Sequence, residues 1–199
     1  MTVSAVHKPT LVETFVPTSS PIMRNVVLAL TGSLLLALSS KIQIPFVPVP
    51  LTLQTMVVLV LGMAFGFKLA TATLVLYLLE GALGLPIFAG TPAKGLGLAY
   101  MMGPTGGYLL GFVLAASVCG WLAERGWDRN VVSTALAMLI GNVLIYVPGL
   151  LWLGTVVGWD KPVLQWGLTP FLLGDLTKLV AAALLLPTTW RLIGKRGEG

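Results

Sequence analysis

Apolar residues fall along this chain in long blocks, with polar residues, prolines and glycines collected between them. A helix needs about 20 mostly apolar residues to cross a bilayer, and six blocks are suitable. They run from about Ile22 to Ile44, Leu51 to Gly66, Phe67 to Leu83, Thr105 to Arg125, Val131 to Thr155, and Pro170 to Ile193. "PFVPVP" (Pro45 to Pro50) separates the first two, because proline lacks the amide donor and clashes with the preceding turn. A longer polar loop, Gly84 to Pro104, separates the third from the fourth, and "GWDKPVLQWG" precedes the sixth. The expected fold is an all-α integral membrane protein of six transmembrane helices. Residues 1–20 read as a polar N-terminal cytoplasmic tail with a short interfacial piece at "LVETFV" and no cleavable signal. Residues 21–194 form the membrane domain, and 195–199 a cytoplasmic C-terminal tail.

Composition supports lipid as the solvent. Of the 199 residues, 56% are hydrophobic and 10% charged, against about 25% charged in soluble domains. A net charge of +5 would suggest an acidic partner such as nucleic acid in a soluble protein. Here the basic residues sit at segment ends instead, so they orient the chain. With the N-terminus inside, Lys8, Arg24, Lys68, Arg125, Arg129, Arg191, Lys195 and Arg196 face the cytoplasm. Lys41, Lys94 and Lys161 face outward, and Lys178 stays within the membrane. Eight against three follows the cytoplasmic excess of Lys and Arg and places both termini in the cytoplasm. The inner connections, "GFK" and "ERGWDRN", are tight. The outer ones are longer, so the outer face is where a ligand is expected.

Ionisable residues inside a membrane are costly and face protein or water. In "FLLGDLTKLV", Asp175 and Lys178 are three apart and share one helix face. Asn142 and Tyr146 share a face of the fifth helix, with Trp152 farther along. Gln54 lies near the start of the second helix, and Glu80 near the end of the third. Two readings of the Asp175–Lys178 couplet stand side by side: an ion pair tying helices together, or the polar floor of a pocket that is otherwise apolar. Asn142 serves a helix-to-helix hydrogen bond or a ligand equally well.

Small residues recur every four positions in two places. Ala29, Ser33 and Ala37 do so on the first helix, and Gly107, Gly111, Ala115 and Cys119 on the fourth. This spacing permits close helix packing, within the bundle or, for the first helix, against a second membrane protein. Cys119 is the single cysteine and His7 the single histidine. Neither a disulfide nor a zinc site can be built from them. The chain contains no phosphate-binding G-x-x-x-x-G-K-[ST], no H-E-x-x-H and no G-x-S-x-G. "LLGD" differs from the G-x-G-D of intramembrane aspartyl proteases, with Leu172 in place of the first glycine.

Five fragments in order carry a resemblance: "PFVPVPLTLQTMVVLVLG", "LGLPIFAG", "GPTGGYLLGF", "GNVLIYVPGLLWL" and "GDLTK". Together they resemble the BioY family, the biotin-specific S components of energy-coupling factor (ECF) transporters, over nearly the whole chain after Pro21. The resemblance implies a six-helix S-component bundle in the bacterial cytoplasmic membrane that takes biotin from the outer face. It implies a T component and two cytoplasmic ABC-type ATPases as partners, with ATP used only by those partners and no cofactor on this chain. Ala29, Ser33 and Ala37 match the family's docking stripe. "PFVPVP" corresponds to a lid, and the loop around Lys94 closes the pocket from another side. The expected substrate-binding residues are Asp175, Lys178, Asn142, Tyr146, Gln54, Trp152, Phe88 and Lys94, with no catalytic residue and no metal. Three alternatives stay open: an S component for another vitamin or precursor, a membrane enzyme using Asp175 and Lys178 as acid and base, and a purely structural subunit.

Overall fold

The computed structural model describes residues 8–16 and 20–196, with side chains through residue 192. The remaining tail positions, including His7 and most of the expected C-terminal tail, lie outside the described residues. The elements are α1 (Leu11–Phe15), α2 (Pro21–Lys41), β1 (Gln43–Ile44), β2 (Leu51–Thr52), α3 (Gln54–Ala82), α4 (Gly97–Met101), α5 (Gly106–Ala123), α6 (Val131–Val157), α7 (Val163–Gly167) and α8 (Leu172–Arg196). Among the described residues, five stretches are long and apolar enough to cross a membrane: Pro21–Lys41, Gln54–Ala82, Gly106–Ala123, Val131–Val157 and Val163–Leu192.

The second of these doubles back. Gln54 and Tyr77 would stand about 35 Å apart on a straight helix at 1.5 Å per residue, yet Gln54 Nε2 donates to the Tyr77 hydroxyl at 2.7 Å. The reversal occurs at Gly66, where φ is 78° and ψ 176°, a conformation essentially restricted to glycine. The amide of Phe67 then donates to the Glu124 carboxylate at 2.8 Å, which caps the returning half. A side chain at Gly66 would also meet Glu124 Oε1 and Thr10 Cγ2, each 2.8 Å from the position of its Cβ.

Glycines bring α5 close to its neighbours on two sides. On one side Gly107 meets the Pro148 carbonyl of α6 and Gly111 meets the Ile145 backbone, with 2.2 and 2.7 Å to a hypothetical Cβ. Cys119 donates to the Ala137 carbonyl at 3.4 Å, so this small-residue stripe packs within the bundle. On the other side Gly120 meets the Gly66–Phe67 backbone. No larger residue fits at these crossings, and backbone proximity of this kind is how membrane helices gain packing energy.

Two features depart from the sequence reading. The ends of the proline-rich connection pair as a short antiparallel ribbon, with Gln43 opposite Thr52 and Ile44 opposite Leu51, where the sequence pattern carries the flanking helices to Ile44 and from Leu51. The N-terminal stretch is in part built onto the bundle. Thr10 and Glu13 form a capping box around α1, the Lys8 amide donates to the Glu124 carbonyl at 2.8 Å, and Arg129 donates to the Pro9 carbonyl at 3.2 Å.

Candidate substrate-binding site

At the end of the bundle that carries the β1–β2 ribbon and the 84–104 loop, a cleft opens between the helices. It holds about 540 Å³ of space between atoms, part of it continuous with solvent. Its polar wall is formed by Gln54, Thr55 and Asp175, and its aromatic wall by Tyr100, Tyr108, Phe112, Tyr146 and Phe171. Val49 to Thr52, from the ribbon, close one side.

Four of these rings, those of Tyr100, Tyr108, Tyr146 and Phe171, are held by a partner. Tyr108 stands edge-on to Tyr146 with centroids 6.2 Å apart, and Phe46 stands edge-on to Phe171 at 6.4 Å. Tyr108 donates to the Gly167 carbonyl at 2.8 Å, and Tyr100 to the Ala89 carbonyl at 2.9 Å. Burial raises the Tyr100 phenol above its usual range, so it stays neutral and donates. The rings of Tyr100 and Tyr108 line the cleft while their hydroxyls are satisfied by backbone carbonyls.

Asp175 lies in the first turn of α8 and is 6% exposed. Lys178 and Thr55 both donate to its Oδ1, at 2.9 and 3.1 Å, and the Tyr146 hydroxyl donates to its Oδ2. Lys178 is equally engaged. Its ammonium also donates to the Thr52 carbonyl at 2.8 Å and to Thr55 Oγ1 at 2.9 Å. All three of its protons are thereby used, while a carboxylate with about four acceptor positions keeps one free. The network joins β2, α3, α6 and α8 at the cleft floor.

The expected site residues separate into three groups. Asp175, Tyr146 and Gln54 line the main cleft. Asn142 and Lys178 line a second cavity of about 10 Å³, with Thr55 and Asp175 common to both; that is room for about one water. Asn142 Oδ1 is buried without a partner among the described residues, so such a water would meet an acceptor there.

Phe88, Trp152 and Lys94 sit elsewhere. Phe88 is 1% exposed, stacked on Tyr100 at 4.9 Å and edge-on to Tyr77 at 5.4 Å. It braces the aromatic wall from behind. Trp152 donates to the Gly103 carbonyl at 2.9 Å and fixes the loop that leads into α5. Lys94 lines a neighbouring cavity beside Tyr100 and Thr105.

Along the first-helix stripe, Ser33 is buried and donates to the Glu80 carboxylate, while Ala29 and Ala37 are half-buried. Thr55, Tyr100, Tyr108, Phe112 and Phe171 were not singled out in the sequence. Thr55 belongs to the network at the cleft floor, and the signal for it was a hydroxyl at the start of a helix otherwise apolar for ten residues.

A bundle of long apolar helices enclosing one aromatic cleft over a hydrogen-bonded carboxylate is a membrane-embedded binder of small solutes. Comparison with known proteins gives the particular kind. The model of the BioY family matches residues 8–195, so the chain belongs to that family; the match begins within the N-terminal stretch rather than after Pro21. The biotin transporter BioY of Thermotoga maritima is 38% identical over 163 residues, which covers 82% of this chain and 94% of the relative. The probable biotin transporter BioY of Pyrococcus horikoshii is 36% identical over 112 residues, 56% of this chain and 62% of the relative. In fold, the chain is similar to the crystal structure of the S component for biotin from an ECF-type ABC transporter, with a TM-score of 0.72. The identity is 21%, over 88% of this chain and 95% of that one. The protein is thus an all-α, multi-pass protein of the cytoplasmic membrane.

Proposed function

We propose that the chain is the biotin-binding subunit of an uptake system driven by ATP-hydrolysing partners, and that it binds and carries its ligand unchanged. The supporting observation is the aromatic cleft with Asp175 at its floor, in a member of the BioY family. Biotin's ureido ring has two N–H donors and one carbonyl acceptor. Asp175 retains one acceptor position for an N–H of that ring. The bicyclic rings suit the faces of Tyr108, Tyr146 and Phe171. Lys178 is best read as the group that holds Asp175 in place.

The orientation proposed is six crossings, counting α3 as two, with both termini in the cytoplasm and residues 21–194 as the binding domain. The reversal at Gly66 and the distribution of Lys and Arg support it. The cleft then opens on the extracytoplasmic side. A T component and two ABC-type ATPases are the partners that such a bundle would need, since the chain has no phosphate-binding loop of its own.

The test is calorimetric titration of the purified, detergent-solubilised chain with biotin, alongside mass spectrometry of any co-purifying small molecule. One biotin per chain is expected, and Asp175→Asn should weaken binding at least about tenfold, or about 1.4 kcal/mol. A folded protein that ignores biotin, or an Asp175→Asn variant with wild-type affinity, overturns the assignment. Tags at both ends should react only from the cytoplasmic side.

A further inference from the structure

Four lysines surround the cleft end of the bundle, and three of them are committed. Lys41 donates to the Phe88 carbonyl at 2.8 Å and to Thr91 Oγ1 at 2.9 Å. Lys161 pairs with Asp160 at 3.0 Å. Lys178 donates to three acceptors. The Lys94 ammonium has no hydrogen-bond or ion-pair partner among the described residues; only its backbone amide is used, donating to the Gly90 carbonyl at 3.0 Å.

The Lys94 stem is nevertheless held. Gly90 has φ +75°, and Lys94 Cδ lies 2.8 Å from where a Cβ on Gly90 would be. The stem therefore packs in the space that the missing side chain leaves, and part of its rotamer entropy is lost before any ligand arrives. It lines a cavity of about 280 Å³ with Pro48, Gly103 and Pro104. Tyr100 and Thr105 belong to both this cavity and the main cleft, so the two adjoin.

The polar floor of the main cleft repels an anion. Asp175 is there as a carboxylate, and the one ammonium beside it has every proton occupied. A ligand with an acidic tail can place its neutral head at Asp175 only if the tail leads elsewhere. We propose that Lys94 is a specificity-determining residue: its ammonium, in the cavity adjoining the cleft at Tyr100 and Thr105, pairs with the free carboxylate at the tail of the ligand. The inference rests on the biotin reading and extends it by assigning the acidic end.

Because Lys94 is exposed, the pair is partly solvated and its contribution modest. The experiment titrates the full chain in detergent with biotin and with its primary amide, which has the same rings and an uncharged tail. The wild type should prefer the free acid by about three- to tenfold, and added salt should narrow that ratio. Lys94→Gln should bring the acid down to the affinity of the amide and leave the amide unchanged, while Lys94→Arg keeps the preference. An acid-to-amide ratio in Lys94→Gln equal to that of the wild type overturns the role of Lys94 and leaves the biotin reading standing. Equal loss of both ligands overturns it too, because the effect would not be on the tail. A wild type that binds neither overturns the biotin reading itself.

Discussion

Two buried carboxylates secure α8 at opposite ends, and they are partnered differently. Asp175, at the start of the helix, receives hydrogen bonds from Thr55, Lys178 and Tyr146. Asp128, in the turn between α5 and α6, meets the helix 15 residues farther along, about 22 Å away at 1.5 Å per residue. It is 1% exposed; Trp190 Nε1 donates to its Oδ2, and its Oδ1 has no partner among the described residues. Arg129 lies over the Trp190 ring at 4.4 Å. A cleft opens beside Asp175, whereas Asp128 is closed in against Trp190 and Arg129. The surplus of donors is therefore at the end where a group must stay aimed and ready to accept one more hydrogen bond. The other end needs only to fasten a helix, and an incompletely satisfied acid suffices.

The largest effect should come from removing the better-partnered acid. Asp175→Ala leaves the Lys178 ammonium buried beside a neutral side chain. Breaking one partner out of a buried pair costs about 3–5 kcal/mol, enough to lower the thermal midpoint of the detergent-solubilised protein by several degrees. Replacing both residues, as Asp175→Asn with Lys178→Met, should recover part of that stability while biotin binding stays lost. If the single and double variants are equally unstable, the couplet is not what holds this end together.

A sharper test removes one donor at each end. Tyr146→Phe leaves Asp175 with two donors, so its cost to stability should be under about 1 kcal/mol. Trp190→Phe takes the indole donor from an acid that already has an unpartnered oxygen, and should cost about 1–3 kcal/mol. Comparing the two midpoints by thermal unfolding decides it. A costlier Tyr146→Phe would mean that the surplus at Asp175 is needed for folding rather than for ligand.

The contrast between the ends was only half visible in the sequence. Helix faces follow from spacing alone, so the Asp175–Lys178 couplet, the Asn142–Tyr146 face and the reversal near Gly66 could all be read from local pattern. Contacts made by loops folding back could not. Nothing in "PFVPVP" itself shows that Thr52, just beyond it, offers its carbonyl to Lys178 126 residues away. Phe88 and Trp152 were expected against ligand because the rings and aliphatic chain of biotin suit aromatic walls; they lie behind the wall and at a loop anchor instead. "ERGWDRN" reads as a polar, solvated turn. The burial of its aspartate depends on Trp190, whose position is fixed only when α8 packs against α6.

The smallest effect, and the one most specific to the second carboxylate, is in pH. Burial raises the Asp128 carboxyl above the usual carboxylate range, and the Trp190 bond, its own backbone amide and the charges of Arg129 and Lys8 offset this only in part. An acid whose pKa is higher folded than unfolded binds more protons in the folded state. Its contribution to stability is therefore fully present below the unfolded value and is lost as pH rises through the folded one. Asp128→Asn keeps an oxygen to accept from Trp190 and removes the titration. The thermal midpoint of the variant relative to wild type should accordingly rise as pH climbs above about 4 and level off once Asp128 is ionised. A difference that is flat with pH, or that falls, would mean that Asp128 is ionised as readily in the bundle as in water, and the supposed economy of donors at that end would be an error.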